Sequence, residues 1–121
     1  MNNRDNLLAR KSYDFSISVI NIYKDIINVN KEYVLSKQLL RSGTAIGALI
    51  HESEFAQSKP DFISKLSISL KEANETKYWL ALLNDTNYID DNQFRKLNLE
   101  VQELIAILVA SIKTAKKSLN R

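Results

Sequence analysis

Residues that make tight turns are scarce in this chain, which has two glycines and one proline among 121 residues. A sheet of many strands needs such residues at most reversals of the chain. The scarcity therefore argues strongly against an all-β fold and against a glycine-rich phosphate-binding loop. The chain also has no cysteine and one histidine, His51. Disulfide frameworks, thiolate metal sites and clusters of histidine ligands are excluded for that reason.

Apolar residues recur at steps of three and four along most of the chain, which is the period of amphipathic helices. The spacing predicts four helices, over about residues 7–28, 31–56, 58–84 and 90–119. Ser58 is the predicted N-cap of the third helix, and Asp90 or Asp91 is that of the fourth. No strand is predicted.

Short connections make consecutive helices antiparallel neighbours, so the sequence predicts an all-α, up-down-up-down four-helix bundle. The length fits a single domain over residues 1–121. The longest apolar run, residues 104–110, is much shorter than the roughly 20 residues that span a bilayer. Because no apolar signal segment follows the first residues either, we expect a soluble cytoplasmic protein with no membrane partner.

The net charge of +3 is unevenly distributed, because the last nine residues hold four basic residues and no acidic one. The predicted topology brings both ends of the chain, and the connection between the second and third helices, to one pole of the bundle. The opposite pole collects Asp85, Asp90 and Asp91, which Lys24 and Lys31 partly balance. Clustered basic side chains neutralise phosphates, so the basic pole is a candidate nucleic-acid interface. Solvated helix ends that balance the helix dipole explain the same residues equally well. The candidate nucleic-acid-binding residues are Arg4, Arg10, Lys11, Lys59, Lys113, Lys116, Lys117 and Arg121.

Motifs that carry chemistry are missing from the sequence. A di-iron site in a helical bundle needs Glu-x-x-His pairs, but the residue three positions before His51 is Ala48. The signatures of serine hydrolases and of nucleotide-binding loops are absent as well. We therefore expect neither enzymatic activity nor a cofactor nor a bound metal.

Two groups of residues extend beyond one core stripe and form a candidate oligomer interface. Gly43 and Gly47 lie four residues apart on one face of the second helix, where a missing side chain permits close backbone approach. On the third helix, Tyr78, Trp79 and Leu82 widen the apolar face past a single bundle core. Subunit packing and a wide core within a monomer are both open interpretations of this pattern.

Four segments resemble one protein family. They read SYDF at residues 12–15, LRSGTAIGA at 40–48, AQSKPDFISKLSI at 56–68 and LKEANETKYWL at 70–80. Together they resemble the bacterial four-helix bundle protein family, also called the 23S rRNA-intervening-sequence protein or S23 ribosomal protein family. The resemblance extends over nearly the whole chain.

The resemblance implies an all-α bundle that assembles as a homopentamer and has no associated enzymatic activity. A related group, the accessory variability determinants of diversity-generating retroelements, forms similar basic pentamers that bind RNA and a reverse transcriptase. The expected function is a non-enzymatic homo-oligomeric bundle that binds RNA or an RNA–protein partner through basic surface. The alternative is a protein-interaction scaffold with no direct nucleic-acid binding. The expected partners are further copies of the chain and RNA or a nucleic-acid-processing protein.

Overall fold

The computed structural model describes residues 3–120 and contains four α-helices. They are α1 (Asn3–Asp25), α2 (Leu35–Ser53), α3 (Lys59–Asp85) and α4 (Asp91–Leu119). No strand occurs between residues 3 and 120, so the predicted all-α class is confirmed. None of the helices described there is both long and apolar enough to cross a membrane.

The connection between α1 and α2 differs from the prediction. α1 continues without a break into a π-helical segment, Ile26–Asn30, whose first residue is buried in the core. The segment ends at Lys31, which adopts a left-handed conformation with φ of 54°. A left-handed residue is a common helix terminator because it turns the chain away from the helix axis.

The side chain of Glu32 explains why α2 begins at Leu35 rather than near residue 31. Its Oε1 accepts hydrogen bonds from the backbone N–H groups of Val34 (2.9 Å) and Leu35 (2.8 Å), and its Oε2 accepts one from Ser36 (2.8 Å). Desolvation by burial raises the pKa of Glu32, but the hydrogen bonds from Ser36, Leu35 and Val34 outweigh it, so the pKa lies below the ordinary value. The ionised carboxylate thus satisfies amide groups that the first helical turn leaves without partners.

The predicted caps of α3 and α4 are confirmed. Ser58 Oγ accepts a hydrogen bond from the backbone N–H of Asp61 (3.2 Å). At α4 the cap is Asp90, whose Oδ1 accepts from the Gln93 N–H (2.7 Å), while Gln93 Oε1 accepts from the Asp90 N–H (2.9 Å). This reciprocal pair is a capping box.

Hydrogen bonds between helices show that α2 and α3 are antiparallel. Ser69 Oγ donates to the carbonyl oxygen of Ile46 (2.9 Å), and Thr76 Oγ1 donates to Ser42 Oγ (3.0 Å). The partner on α2 moves back along the chain as the residue on α3 moves forward, which is the mark of an antiparallel pair. α1 packs against α2 and α4, and α3 packs against the same two helices, so the four helices close a bundle.

The bundle core runs along the whole axis and is built from side chains that all four helices bury. Those with 1% exposure or less include Leu8, Phe15, Val19, Leu39, Ile46, Leu66, Leu80, Leu83, Leu97, Val101, Leu104 and Leu108. Each such side chain contributes about 1.5–3 kcal/mol when it leaves water. The apolar period that predicted the helices is therefore the period of this core.

The two glycines lie against α1 inside the bundle. A Cβ atom at Gly43 would lie 2.9 Å from both methyl carbons of Val19, and one at Gly47 would lie 3.2 Å from the carbonyl oxygen of Ser12. The close backbone approach that they permit is therefore made within the chain, between α1 and α2. Gly43 is buried and Gly47 is half-buried in this contact, and their part in an oligomer interface stays a prediction.

Candidate functional site

The basic pole is the end of the bundle where α1 begins, α2 connects to α3, and α4 makes its last turns. Arg4 Nη1 donates hydrogen bonds to Thr114 Oγ1 (2.8 Å) and to the carbonyl oxygen of Ala110 (3.4 Å). This contact ties the first turn of α1 to the last turns of α4. Lys59, the first residue of α3, lines the same cavity as Arg4. The structure therefore brings the start of α1, the start of α3 and the end of α4 together, as predicted.

Three exposed lysines on the last turns of α4 carry most of the charge at this pole. Lys113, Lys116 and Lys117 are solvent-exposed, and within the described part of the chain none of them forms an ion pair. Residues three and four apart on a helix are surface neighbours, so the three ammonium groups share one patch. Their position near a helix C-terminus also balances the helix dipole.

The other candidate nucleic-acid-binding residues are not seen in this patch. Lys11 Nζ forms an ion pair with Glu103 Oε2 at 2.9 Å, so its charge is offset by a carboxylate on α4. Glu103 precedes Lys113 by ten residues, which is about 15 Å along a helix axis. Arg10 is exposed two turns into α1, away from the end of the bundle. Arg121 lies outside the described residues.

The acidic pole is formed at the turn between α3 and α4. Asp85 and Asp91 are exposed there, and Asp90 serves as the cap of α4. Asn84 Nδ2 donates to Asp91 Oδ1 (3.0 Å), which fixes the turn. Asp85 and Asp91 thus mark one end of the bundle and the lysines of α4 the other, although each end also holds the opposite sign, with Lys24 at the first and Asp5 and Glu54 at the second.

A cavity of about 540 Å³ opens at the basic pole. Its walls include the apolar side chains of Leu8, Phe62 and Leu66 and the charged side chains of Arg4 and Lys59. The volume lies within the range of about 300–1,000 Å³ that is typical of small-molecule pockets. No group of three or more histidine, cysteine or acidic residues suited to a metal ion occurs in residues 3–120.

Ser111 is a feature of this cavity that the sequence pattern does not predict. It lines the cavity, its side chain is 3% exposed, and its Oγ has no hydrogen-bond partner. A buried hydroxyl without a partner costs about 1–3 kcal/mol. One signal in the sequence points to this residue. Ser111 lies between Leu108 and Ala115 on the core-facing stripe of α4, where an apolar residue is expected.

The predicted oligomer surface on α3 has a mixed exposure. Tyr78 is 58% exposed, whereas Trp79 and Leu82 are half-buried. The two rings make an edge-to-face contact with centroids 5.2 Å apart. Trp79 Nε1 is buried without a hydrogen-bond partner in the described part of the structure. Tyr78 and Leu82 are thus available for contact with another molecule, and their role in subunit packing stays a prediction.

The fold and the charged end together define the chain as a small antiparallel helical-bundle protein. The family model described as 23S rRNA-intervening sequence protein matches residues 4–110, and the chain belongs to this family. This match confirms the family resemblance of the four sequence segments.

A solved structure supports the same assignment. It is a protein of unknown function from the S23 ribosomal protein family of Bacteroides thetaiotaomicron, and it is 51% identical to this chain. The match covers 91% of this chain and 98% of the other, with a TM-score of 0.90. A search of curated proteins finds no match.

Proposed function

We propose that the protein is a non-enzymatic, homo-oligomeric bundle that binds RNA through its basic pole. The observation that carries the proposal is the patch of Lys113, Lys116 and Lys117, which is exposed and has no carboxylate partner within residues 3–120. Free ammonium groups bind phosphates and release condensed counterions, which favours binding to a polyanion. The accessory variability determinants, to which the family is related, bind RNA, and this relation favours RNA as the polyanion.

Assembly strengthens the attraction. Each copy carries a net charge of +3, so a pentamer of the kind that the resemblance implies carries +15, five times that charge. A larger positive field raises the local concentration of RNA and the rate of encounter. Tyr78 and Leu82 on α3 supply the apolar surface for contact between copies.

RNA binding is tested by titrating a fluorescently labelled RNA hairpin with the protein at several salt concentrations, from about 50 mM to about 200 mM. The natural chain should bind with an affinity that falls steeply with salt. Each phosphate contact contributes about 0.7–0.9 to the slope of log K against log salt. Replacing Lys113, Lys116 and Lys117 by Gln should therefore reduce the magnitude of that slope by about 2–3.

The matched control changes the same amount of charge away from the pole. Lys24, Lys37 and Lys71 are exposed on α1, α2 and α3, and their replacement by Gln should leave most of the salt dependence intact. If both triple variants weaken binding equally, the basic pole is not the interface. If the natural chain shows no binding at low salt, the protein is instead a protein-interaction scaffold whose lysines only solubilise a helix end.

The oligomeric state is tested separately by light scattering. A monomer has a mass of 13.9 kDa, and a pentamer has about 70 kDa, five times that mass. Tyr78→Ser together with Leu82→Ser should reduce the measured mass, because it removes apolar surface from the proposed contact. Leu99→Ser on α4 is the matched control, since Leu99 and Tyr78 are both 58% exposed. A monomeric mass for the natural chain would rule out self-association.

A further inference from the structure

The cavity at the basic pole is bordered by side chains of the bundle core. Leu8, Ile50 and Leu66 are buried and line it. The cavity has a volume of about 540 Å³. An open space with an apolar inner wall is suited to a flat apolar group of a ligand.

The hydroxyl of Ser111 distinguishes this cavity from an accidental gap. The other buried hydroxyl groups in the described chain all make hydrogen bonds. For example, Ser53 Oγ donates to the Ile50 carbonyl at 2.6 Å. Ser111 lines the cavity, and its Oγ is buried and unpartnered, so its donor and acceptor are not committed to any other group of the described chain.

The rim of the cavity carries charges of both signs. Arg4 is held in place through Nη1 by Thr114 and Ala110, which leaves other N–H groups of its guanidinium to bind an anion. Lys59 adds a second cation beside the first turn of α3, where the helix dipole also favours negative charge. Asp5 and Glu54 line the rim as well. A carboxylate such as that of Glu54 is a good acceptor for the hydroxyl groups of a ribose.

We propose that this cavity binds a nucleoside 5′-monophosphate. The phosphate contacts Arg4 and Lys59, the ribose hydroxyl groups face Glu54, and the base enters the apolar interior, where Ser111 Oγ bonds its edge. The same chemistry is offered by a free nucleotide and by the unpaired terminal nucleotide of an RNA. The inference rests on the proposed function, because an RNA bound at the basic pole presents such a nucleotide. It identifies the terminal nucleotide as the part of the RNA that the basic pole recognises.

The test uses the full chain and calorimetric titration with adenosine 5′-monophosphate. We expect saturable binding, roughly tenfold weaker binding of adenosine because the charge-assisted bonds to the phosphate are lost, and weaker binding of the 2′-deoxy nucleotide because a ribose donor is lost. Ser111→Leu should reduce binding by roughly tenfold or more, because its larger side chain extends into the cavity. The Lys24, Lys37 and Lys71 triple variant should bind the nucleotide as the natural chain does.

A second variant covers the case in which Ser111→Leu does not fold. Arg4→Gln lies on an exposed first turn, and it should weaken the nucleotide by roughly tenfold while leaving the affinity for adenosine unchanged. Absence of saturable binding to the folded natural chain would overturn the inference. So would nucleotide binding that the variant at Arg4 and the folded variant at Ser111 both leave unchanged.

Competition with labelled RNA identifies the source of the nucleotide. If saturating adenosine 5′-monophosphate displaces an RNA with an unpaired 5′-phosphorylated end, the cavity holds the terminal nucleotide of RNA. If the nucleotide binds and RNA affinity is unchanged, the ligand is a free nucleotide, and the inference still holds. RNA binding without nucleotide binding refutes this inference alone, whereas nucleotide binding without RNA binding refutes only the proposed function.

Discussion

The contact between Gly43 and Val19 makes a sharp prediction about stability. A Cβ atom at position 43 would lie 2.9 Å from both Cγ1 and Cγ2 of Val19, a side chain that is fully buried. Val19 is β-branched and has one strongly preferred rotamer in a helix, so rotation does not relieve the contact. Gly43→Ala should therefore push α1 and α2 apart.

The magnitude follows from two opposing effects. Alanine gains about 1 kcal/mol over glycine in a helix interior, while overpacking a tight core costs about 1–3 kcal/mol. Because both methyl carbons are too close at once, we place the cost near its upper end, which leaves a net loss of about 2 kcal/mol. For a domain of this size, that loss lowers Tm by roughly 6–10 °C.

Urea unfolding followed by circular dichroism measures the change in the free energy of unfolding. A second substitution, at Val19, tests the cause of that change. Val19→Ala alone should cost about 2–3 kcal/mol by leaving a cavity. On that background, Gly43→Ala should cost far less or stabilise the protein by up to about 1 kcal/mol, because the two 2.9 Å contacts are gone and only the milder 3.3 Å contact with Cβ of residue 19 remains. Gly47→Ala is the milder comparison, since its Cβ would lie 3.2 Å from Ser12 O. If Gly43→Ala leaves the natural chain as stable as before, the glycine is not required for this helix approach.

Three further predictions concern hydrogen bonds seen in the structure. Glu32→Gln should cost about 1–2 kcal/mol at neutral pH. Because the pKa of Glu32 is lowered in the fold, the stabilisation is fully present above its ordinary value of 4.5 and is lost as the pH falls through the lower, folded value. Thermal unfolding of both proteins over a pH series should show the difference shrinking in acid, and a constant difference would contradict this. Asp90→Ala should cost about 1 kcal/mol in urea unfolding, and Asp90→Asn should retain most of the stability. Ser69→Ala should cost about 1 kcal/mol because it breaks a buried hydrogen bond, whereas Ser111→Ala should be neutral or stabilising because it removes an unpartnered hydroxyl. Equal losses for the two serine variants would show that Ser111 has a partner after all.

Much of the helical architecture could be predicted because its signals are local. Ser58 and Asp90 cap their helices as predicted, since an N-cap needs only a side-chain acceptor and an amide three residues later. The start of α2 could not be predicted in the same way. Glu32 lies outside the helix and caps it with a long side chain. Because glutamate favours helices, the sequence pattern predicts it to be part of the helix.

The candidate site was predictable only in outline. Antiparallel topology was enough to bring Arg4 to the end of α4, and the contact with Thr114 shows that it does. The pairing of Lys11 with Glu103 was not foreseen, because it depends on the rotation of α1 relative to α4. Ser111 was missed for a related reason. A core-facing serine is ordinary when it bonds to its own helix, and only the structure shows that it does not.

The sequence by itself determined the class of the fold, the number of helices, the caps of α3 and α4 and the end of the bundle at which the lysines of α4 lie. Each of these depends on residues close together in the chain, so the apolar period and the capping residues are sufficient evidence. Only the tertiary structure decided that Gly43 and Gly47 face α1, that Lys11 is paired and that a cavity lies beneath Arg4. These features depend on the rotation and axial offset of whole helices. Packing of the complete core sets both quantities, and no single helix encodes them.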